Sequence, residues 1–405
     1  MRIAFLTSEF VTENNFAGGL AQYMGRVTTG LVKRGHNVEV FVTSQTNNIF
    51  EYKGITVHRV TYQPWLPLKT VNFLLYLLRK KRLVESQLAC CTALGLYKAL
   101  QRRARKVEFD IVQAASWLAT GFFAAKKPLV PLVVRVSSYE PLLAIERNCP
   151  LTFDKKLYSQ IELSVMRHAQ AVYSPSDFLA EQVFKKTGIK PKVIRPPFDE
   201  SDYSDSPATT DKISDWPDYL LYFGKITRYK GAWLLADAVR TLLKMIPDLH
   251  LVIAGPFSKQ DYAANKLLQL TKKHPDSVRY LGILDPVQLL SVMKKARVVV
   301  LPSLIDNLPN GCIEAMGMGK VVVGPNGISF DELITDGQSG ILFKKGNVLS
   351  LREAIVRAWN LSEEKRETMS RSAKERIAQL SPDITLTVLE KFYEKVIQQN
   401  GRFRH

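Results

Sequence analysis

The chain is poor in the residues that mark a disulfide-bonded or metal-binding protein, with four cysteines and six histidines in 405 residues. Cys90, Cys91, Cys149 and Cys312 show no CxxC spacing and no metal-ligand pattern, and adjacent cysteines such as Cys90 and Cys91 are poor disulfide partners for each other. A reducing cytosol is the expected compartment. Long apolar runs are also missing. The most lipid-like stretch, Val71–Leu78, falls far short of the roughly 20 residues a spanning helix requires, so the chain is expected to be soluble or to lie on a membrane surface. The opening MRIAFLTSEF is interrupted by Thr7, Ser8 and Glu9 and reads as a buried first strand, not as a signal peptide. Acidic side chains are outnumbered, 38 against 56 basic, for a net charge of +18. A neutral or acidic surface is therefore excluded, and phosphates, nucleic acid or an anionic membrane become plausible partners.

What is present is ordinary globular material. Apolar residues make up 46% and charged residues 23% of the chain, enough for two hydrophobic cores of roughly 150 to 200 residues each. Short β-branched runs alternate with helical patterns, the signature of parallel sheets covered by helices on both faces. Strands are read at Arg2–Thr7, Asn37–Thr43, Asp110–Gln113, Pro131–Ser137, Ala171–Ser174 and Lys192–Arg195, with helices at about Leu20–Arg34, Trp117–Lys126, Asp154–His168 and Ser176–Lys186. A proline-punctuated, acidic stretch over 199–218 has linker composition. Beyond it a second series of strands follows, at Tyr219–Phe223, Leu249–Ala254, Val278–Leu281, Val298–Leu301 and Val321–Val323. The expected architecture is α/β, with one doubly wound domain over 1–198 and a second over 219–382. A terminal helix, about 383–400, is free to pack back on the first. In such folds ligands bind at the carboxyl ends of the strands, and here most simply in a cleft between the domains.

Three strings carry candidate chemistry. Gly18 and Gly19 lie in a loop after the first strand and just before a helix, where backbone can approach an anion and the helix start supplies free N–H groups. A tight turn into a helix is the plainer alternative. The pattern lacks GxGxxG and a well-placed acidic ribose ligand, which disfavours a nicotinamide dehydrogenase. In LYFGKITRYKGAWLL, Lys225 and Lys230 sit in a Gly-bounded loop between a strand and a helix, suited to neutralising a diphosphate, or else they are solvated loop lysines. In SLIDNLPNGCIEAMGMGK, Asp306 and Glu314 are separated by seven residues across a loop that enters a helix near Gly311. Such acids can accept hydrogen bonds from sugar and ribose hydroxyls, or can simply be a loop acid and a first-turn acid favoured by the helix dipole.

Taken together these strings resemble the retaining glycosyltransferases of family 4, the group 1 enzymes related to glycogen synthase, over nearly the whole chain. The Glu, seven residues, Glu element of that family corresponds to Asp306 and Glu314. Its Gly-Arg-Leu, variable, Lys-Gly element corresponds to Gly224, Lys225, Ile226, Lys230 and Gly231, and its Gly-Gly loop to Gly18 and Gly19. RGHNVEVFV and ELITDGQSGILF match further family segments. The resemblance implies the GT-B architecture of two facing Rossmann-like domains, the first binding acceptor and the second a nucleoside-diphosphate sugar. It implies that Lys225 and Lys230 bind the donor diphosphate, Asp306 the transferred sugar and Glu314 the ribose. Gly224 joins the donor site, backbone at Asn310 and Gly311 faces sugar and phosphate, and Gly282 with Ile283 lies near the nucleobase. Ser137 stands where many members place a donor-contacting histidine, Lys225 where they place Arg, and Asp306 where they place Glu. Neither metal nor further cofactor is implied, and the anomeric configuration is expected to be retained by front-face attack.

Charge is concentrated in one place. Residues 1–200 carry 28 basic and 15 acidic side chains, and 201–405 carry 28 and 23, giving +13 and +5. Lys69–Lys106 alone holds ten basic residues and one acidic residue, Glu85, for +9. With leucines and aromatics interleaved, residues 65–106 read either as basic amphipathic helices for an anionic membrane surface or as two helices with one buried face and solvated basic ends. A lipid-linked or glycan acceptor, a role in cell-surface polysaccharide or glycolipid synthesis, and a place at the inner face of the plasma membrane are the corresponding expectations. Two other classes are weighed. A catalytically silent sugar-nucleotide-binding scaffold is motivated by Ser137 and Lys225. A nucleic-acid binder rests on charge alone, since no RRM, KH or zinc-finger motif is present.

Overall fold

The structure is a computed structural model that describes residues 1–13, 19–78, 80–146, 151–199, 213 and 215–400. Most of the 199–218 stretch, with Gly18 and Cys149, lies outside the described residues. The chain divides into two compact units, Met1–Pro197 with Pro382–His405, and Phe198–Ser381.

In the first unit every residue of β1 (Arg2–Thr7) after Arg2 is buried, as expected of a strand covered on both faces. It pairs in parallel with β2 (Asn37–Thr43) on one side and β5 (Ile111–Ala115) on the other, in the registers Ile3↔Val38 and Ile3↔Ile111. The eight strands follow the order β3-β4-β2-β1-β5-β6-β7-β8, with β3 (Asn48–Tyr52), β4 (Ile55–Val60), β6 (Leu132–Arg135), β7 (Ala171–Ser174) and β8 (Lys192–Val193) completing the sheet. The strand order reverses at β1/β5.

Helices α1 (Gly19–Lys33), α2 (Leu66–Leu77), α3 (Val84–Ala104), α4 (Phe122–Lys126), α5 (Glu140–Glu146), α6 (Phe153–His168) and α7 (Asp177–Thr187) belong to this unit. The expected single helix Trp117–Lys126 is broken. Leu118 and Ala119 take φ of +55° and +46°, ending a short 3₁₀ turn at Ala119 before α4 begins. The β3–β4 hairpin adds one antiparallel edge strand to the otherwise parallel sheet: Tyr52 pairs with Ile55, and Lys53 and Gly54 both take positive φ, the mirror-image turn that suits right-twisted strands.

The second unit holds β9 (Leu220–Phe223), α8 (Ala232–Met245), β10 (Leu251–Ala254), α9 (Tyr262–Lys273), β11 (Val278–Tyr280), α10 (Pro286–Lys295), β12 (Val298–Val300), α11 (Asn310–Gly317), β13 (Val321–Pro325), β14 (Ile341–Phe343), α12 (Val348–Trp359) and α13 (Glu363–Ala378). Its six strands are all parallel in the order β11-β10-β9-β12-β13-β14, so the reversal falls between β9 and β12. Strand runs such as VVV at 298–300 are buried throughout and pack with the apolar faces of α8, α9 and α12.

The last helix, α14 (Pro382–Gln399), lies on the first unit. Leu386, Leu389, Phe392 and Tyr393 join the core around Ile3, Phe5, Val27 and Leu31. Gly30 makes room for it, because a Cβ there would stand 2.5 Å from Leu386 Cδ1. Arg34 and His36 both donate to the Glu390 carboxylate, at 2.8 and 2.7 Å, so His36 serves as a packing anchor at the end of α1.

Candidate active site

In an open parallel sheet the loops on either side of the strand-order reversal diverge, leaving a crevice at the carboxyl ends of the strands. In the second unit those are the loop 224–231 after β9 and the loop 301–309 after β12, and they carry Lys225, Lys230 and Asp306.

The lysine loop is held by backbone geometry. Gly224 opens it with φ +109° and Gly231 closes it with φ +76°, where a Cβ would lie 1.9 Å from the Pro302 carbonyl oxygen. Glycine is required at Gly231 both for the left-handed conformation and for the contact with the second loop. The Tyr222 hydroxyl is shared between the carbonyls of Lys225 (3.3 Å) and Lys230 (3.4 Å), so one buried phenol spans both ends of the loop. Burial pushes that phenol up from its ordinary range, and it remains a neutral donor.

The two loops meet. The Tyr229 carbonyl accepts from Leu304 N at 2.8 Å, and Lys230 Nζ lies 2.5 Å from Asp306 Oδ2. Asp306 is further fixed by Ser303 Oγ (3.4 Å) on its carboxylate and by Ser329 Oγ (2.8 Å) on its carbonyl. Lys225 is exposed and has no ion pair among the described residues. One cation, Lys230, therefore pairs with the Asp306 carboxylate, and a second, Lys225, stands exposed on the same loop.

Helix α11 begins there with Pro309 at its cap and no side-chain acceptor, so the Gly311 amide is one of the early N–H groups that a helix leaves without an internal partner. Gly311 also permits close approach: a Cβ would stand 3.0 Å from the Phe223 ring. Glu314 lies one turn further along the same helix, half-buried, beside Asn310 at its start. Cys312 packs inward against Met316, its thiol pushed well up by burial and, secondarily, by the negative charge of Asp306.

At the edge of the sheet Gly282 follows β11 with φ +80°, and Ile283 beside it is 73% exposed. Sequence reasoning missed Gly255. It follows β10 with φ +130°, its amide donates to Gly282 O at 2.7 Å, and a Cβ on it would stand 2.0 Å from Gly224 O. Three neighbouring strands thus end in glycines whose backbones stack closely. The signal was available, since AGP after an apolar run repeats what FGK and LGI do.

In the first unit Gly19 is the exposed first residue of α1, and Gly18 lies outside the described residues. Ser137 lies just beyond the end of β6. Its amide donates to Ser116 Oγ at 2.9 Å, and Arg135 donates to its hydroxyl at 3.2 Å while lying 3.7 Å over the Tyr23 ring. These residues belong to a unit other than the one that holds the lysines. Among the described residues no group of three or more His, Cys, Asp and Glu is arranged to hold a metal ion.

HepE of Anabaena, solved in complex with UDP and glucose, shares the fold at a TM-score of 0.71 over 97% of this chain and all of its own, at 19% identity. The fold is therefore of the GT-B kind. The model described as glycosyl transferase 4-like domain matches residues 18–196, and that of glycosyl transferases group 1 matches 210–376. The chain belongs to the group 1, family 4-like glycosyltransferases. Curated relatives include an uncharacterized glycosyltransferase of Methanocaldococcus jannaschii, 27% identical over 84% of both chains. The D-inositol 3-phosphate glycosyltransferase of Gordonia bronchialis is 24% identical over 94% of this chain and 85% of its own.

Proposed function

We propose that this glycosyltransferase moves a sugar from a nucleoside-diphosphate sugar to a glycan or lipid-linked acceptor, with retention of anomeric configuration and without a metal ion, in cell-surface polysaccharide or glycolipid synthesis. The observation that carries the reading is the convergence of Lys225, Lys230 and Asp306 at the β9/β12 reversal, beside the uncapped start of α11. As the bond from the anomeric carbon to the phosphate oxygen breaks, charge accumulates on the diphosphate. Lys225, Lys230 and the Gly311 amide are the groups able to neutralise it. Asp306 holds the transferred sugar and Glu314 the ribose. The acceptor hydroxyl attacks on the face from which the phosphate leaves, its proton passing to the departing phosphate oxygen, so the new bond takes the old configuration. Gly224, Gly282 and Ile283 line the nucleoside end, and Gly18, Gly19 and Ser137 are assigned to donor binding from the other unit.

Two observations support a lipid-linked or anionic acceptor. An apolar groove of about 360 Å³, lined by residues that include Tyr139, Leu151, Phe153 and Leu157, opens two residues beyond Ser137. The relative from Gordonia bronchialis carries a phosphorylated acceptor in its name.

The test is a donor panel of UDP-, GDP- and ADP-sugars with detection of released nucleoside diphosphate, preceded by a thermal-shift screen with the free nucleotides, since a ligand bound only by the folded state raises its stability. Lys230→Ala and Glu314→Ala are each expected to abolish turnover with the fold intact. Full activity in either would remove the assignment.

A further inference from the structure

A helix on the surface of a globular protein ordinarily buries its apolar stripe and shows its polar face to water. Helix α2 does the reverse. The side chains it buries are Leu68 and a polar one, Asn72. The Asn72 side chain is consumed holding the α3 start, accepting from Leu83 N at 2.6 Å and donating to Leu83 O at 3.2 Å and to Gln87 Oε1 at 2.5 Å. The outward face carries Phe73 (59% exposed), Leu74 (52%), Tyr76 (58%) and Leu77 (59%), continued by Leu78 (68%) and, at the head of α3, Val84 (63%).

Cations border this face without an acid among them. Lys80, Lys81 and Arg82 are exposed at the corner that follows, and the Arg82 guanidinium lies 4.7 Å over the Tyr76 ring. From Val71 to Val84 the sequence holds no Asp or Glu. The corner is also anchored: Asp154, at the start of α6, accepts from Glu85 N at 2.8 Å and from Ser86 N at 3.0 Å, so α3 presents α2 from a fixed base. The far end of the basic tract behaves differently. Arg103 is taken up by the buried carboxylate of Glu39 at 2.9 Å, which makes that end structural.

We infer that α2 and the Lys80–Arg82 corner form a docking surface for an anionic bilayer, the helix lying in the plane of the interface with Phe73, Leu74 and Leu77 between headgroups and acyl chains. Twelve residues give a helix of about 18 Å, too short to cross the roughly 30 Å of hydrocarbon but of the right kind to lie within the interface. No described helix is long and apolar enough to span a membrane. A single convex helix offers a partner protein no groove. A bilayer supplies an apolar layer directly beneath a negative one, which suits exposed leucines and aromatics on α2 next to the cations of the Lys80–Arg82 corner. The surface does not depend on which acceptor the enzyme uses.

The test is sedimentation of the full chain with phosphatidylcholine vesicles and with the same vesicles doped with phosphatidylglycerol. Binding is expected with the doped vesicles and is expected to fall with added salt. Phe73→Ser combined with Leu77→Ser, and separately Lys80→Glu combined with Lys81→Glu, are each expected to lower partitioning about tenfold or more. Lys272→Glu combined with Lys273→Glu, an equal charge change at exposed positions of α9, is expected to sediment as wild type. Circular dichroism and thermal melts verify that the variants fold. Equal sedimentation with both vesicle types, or unchanged partitioning of both the α2 variant and the corner variant, overturns the inference. So does concentration-dependent self-association that Phe73→Ser abolishes in the absence of lipid, which would make a second copy the occupant.

Discussion

The Lys230 ammonium and the Asp306 carboxylate stand 2.5 Å apart, and this contact joins the loop after β9 to the loop after β12. Both side chains are only partly buried, at 30% and 16% exposure, so the pair contributes at most about 1 kcal/mol to stability. Its value lies in position: in the proposed reaction Lys230 faces the donor diphosphate and Asp306 the transferred sugar.

Asp306→Asn is accordingly expected to change the unfolding free energy by about 1 kcal/mol or less while lowering kcat/KM by about 10²–10³. Urea unfolding and steady-state kinetics on the same preparations check both halves. A loss of activity matched by a comparable loss of fold would point to a structural role.

Tyr222→Phe removes the one hydroxyl that spans the lysine loop, without a cavity. The expected result is a rise of several-fold in the donor KM with kcat nearly unchanged, and a stability loss of about 1 kcal/mol. Donor saturation curves distinguish this from a catalytic defect, which would appear in kcat.

Gly231→Ala would force a left-handed backbone on a residue with a side chain and drive its Cβ against the Pro302 carbonyl. A destabilisation of about 2–4 kcal/mol is expected, with turnover lost because both site loops must shift. Gly224→Ala is a useful contrast: its φ is also positive, but nothing lies within 4 Å of the added Cβ, so strain acts there without collision.

Glu162 provides a pH test. Burial, outweighing its hydrogen bonds from Tyr158 and the Glu140 amide, pushes its carboxyl from 4.5 up to about 8. The folded chain therefore keeps a proton that the unfolded chain releases near pH 4.5. Its contribution is full below that pH and is lost as pH rises toward about 8, each unit of separation counting about 1.4 kcal/mol. Glu162→Gln stays neutral throughout, so its Tm is expected to fall less than that of wild type across this window. Parallel Tm curves would refute the assignment.

Much of this was readable from residue order alone. β1, β2 and β7 have the bounds their short, mostly apolar runs dictate. Gly224, Lys225, Lys230 and Asp306 could be picked out because each falls in a short segment between a strand and a helix, and Glu314 because it lies in the first turns of the helix that follows. The contacts made at a distance were not readable. Tyr222 looks like any aromatic at a strand end until its hydroxyl is found on two carbonyls. The hairpin at Lys53 and Gly54 lacks the usual Asn-Gly signal, and the break at Leu118 comes from backbone angles no residue there advertises. The basic tract misled in a different way. Composition treats residues 65–106 as one object, whereas Asn72 turned inward and Arg103 bound to Glu39 divide it into a surface and a scaffold.

The return of α14 to the first unit has a consequence for how the molecule is made. A ribosome releases the first 197 residues long before Leu386, Leu389, Phe392 and Tyr393, yet those four side chains are part of the core around β1 and α1. The earlier-synthesised unit cannot seal its core until α14 has been made, whereas the unit built from 198–381 has all its parts before then. The usual N-to-C order of domain maturation is thereby inverted. Until the last helix emerges, the face of α1 around Gly30 and Leu31 is the one that chaperones would have to guard.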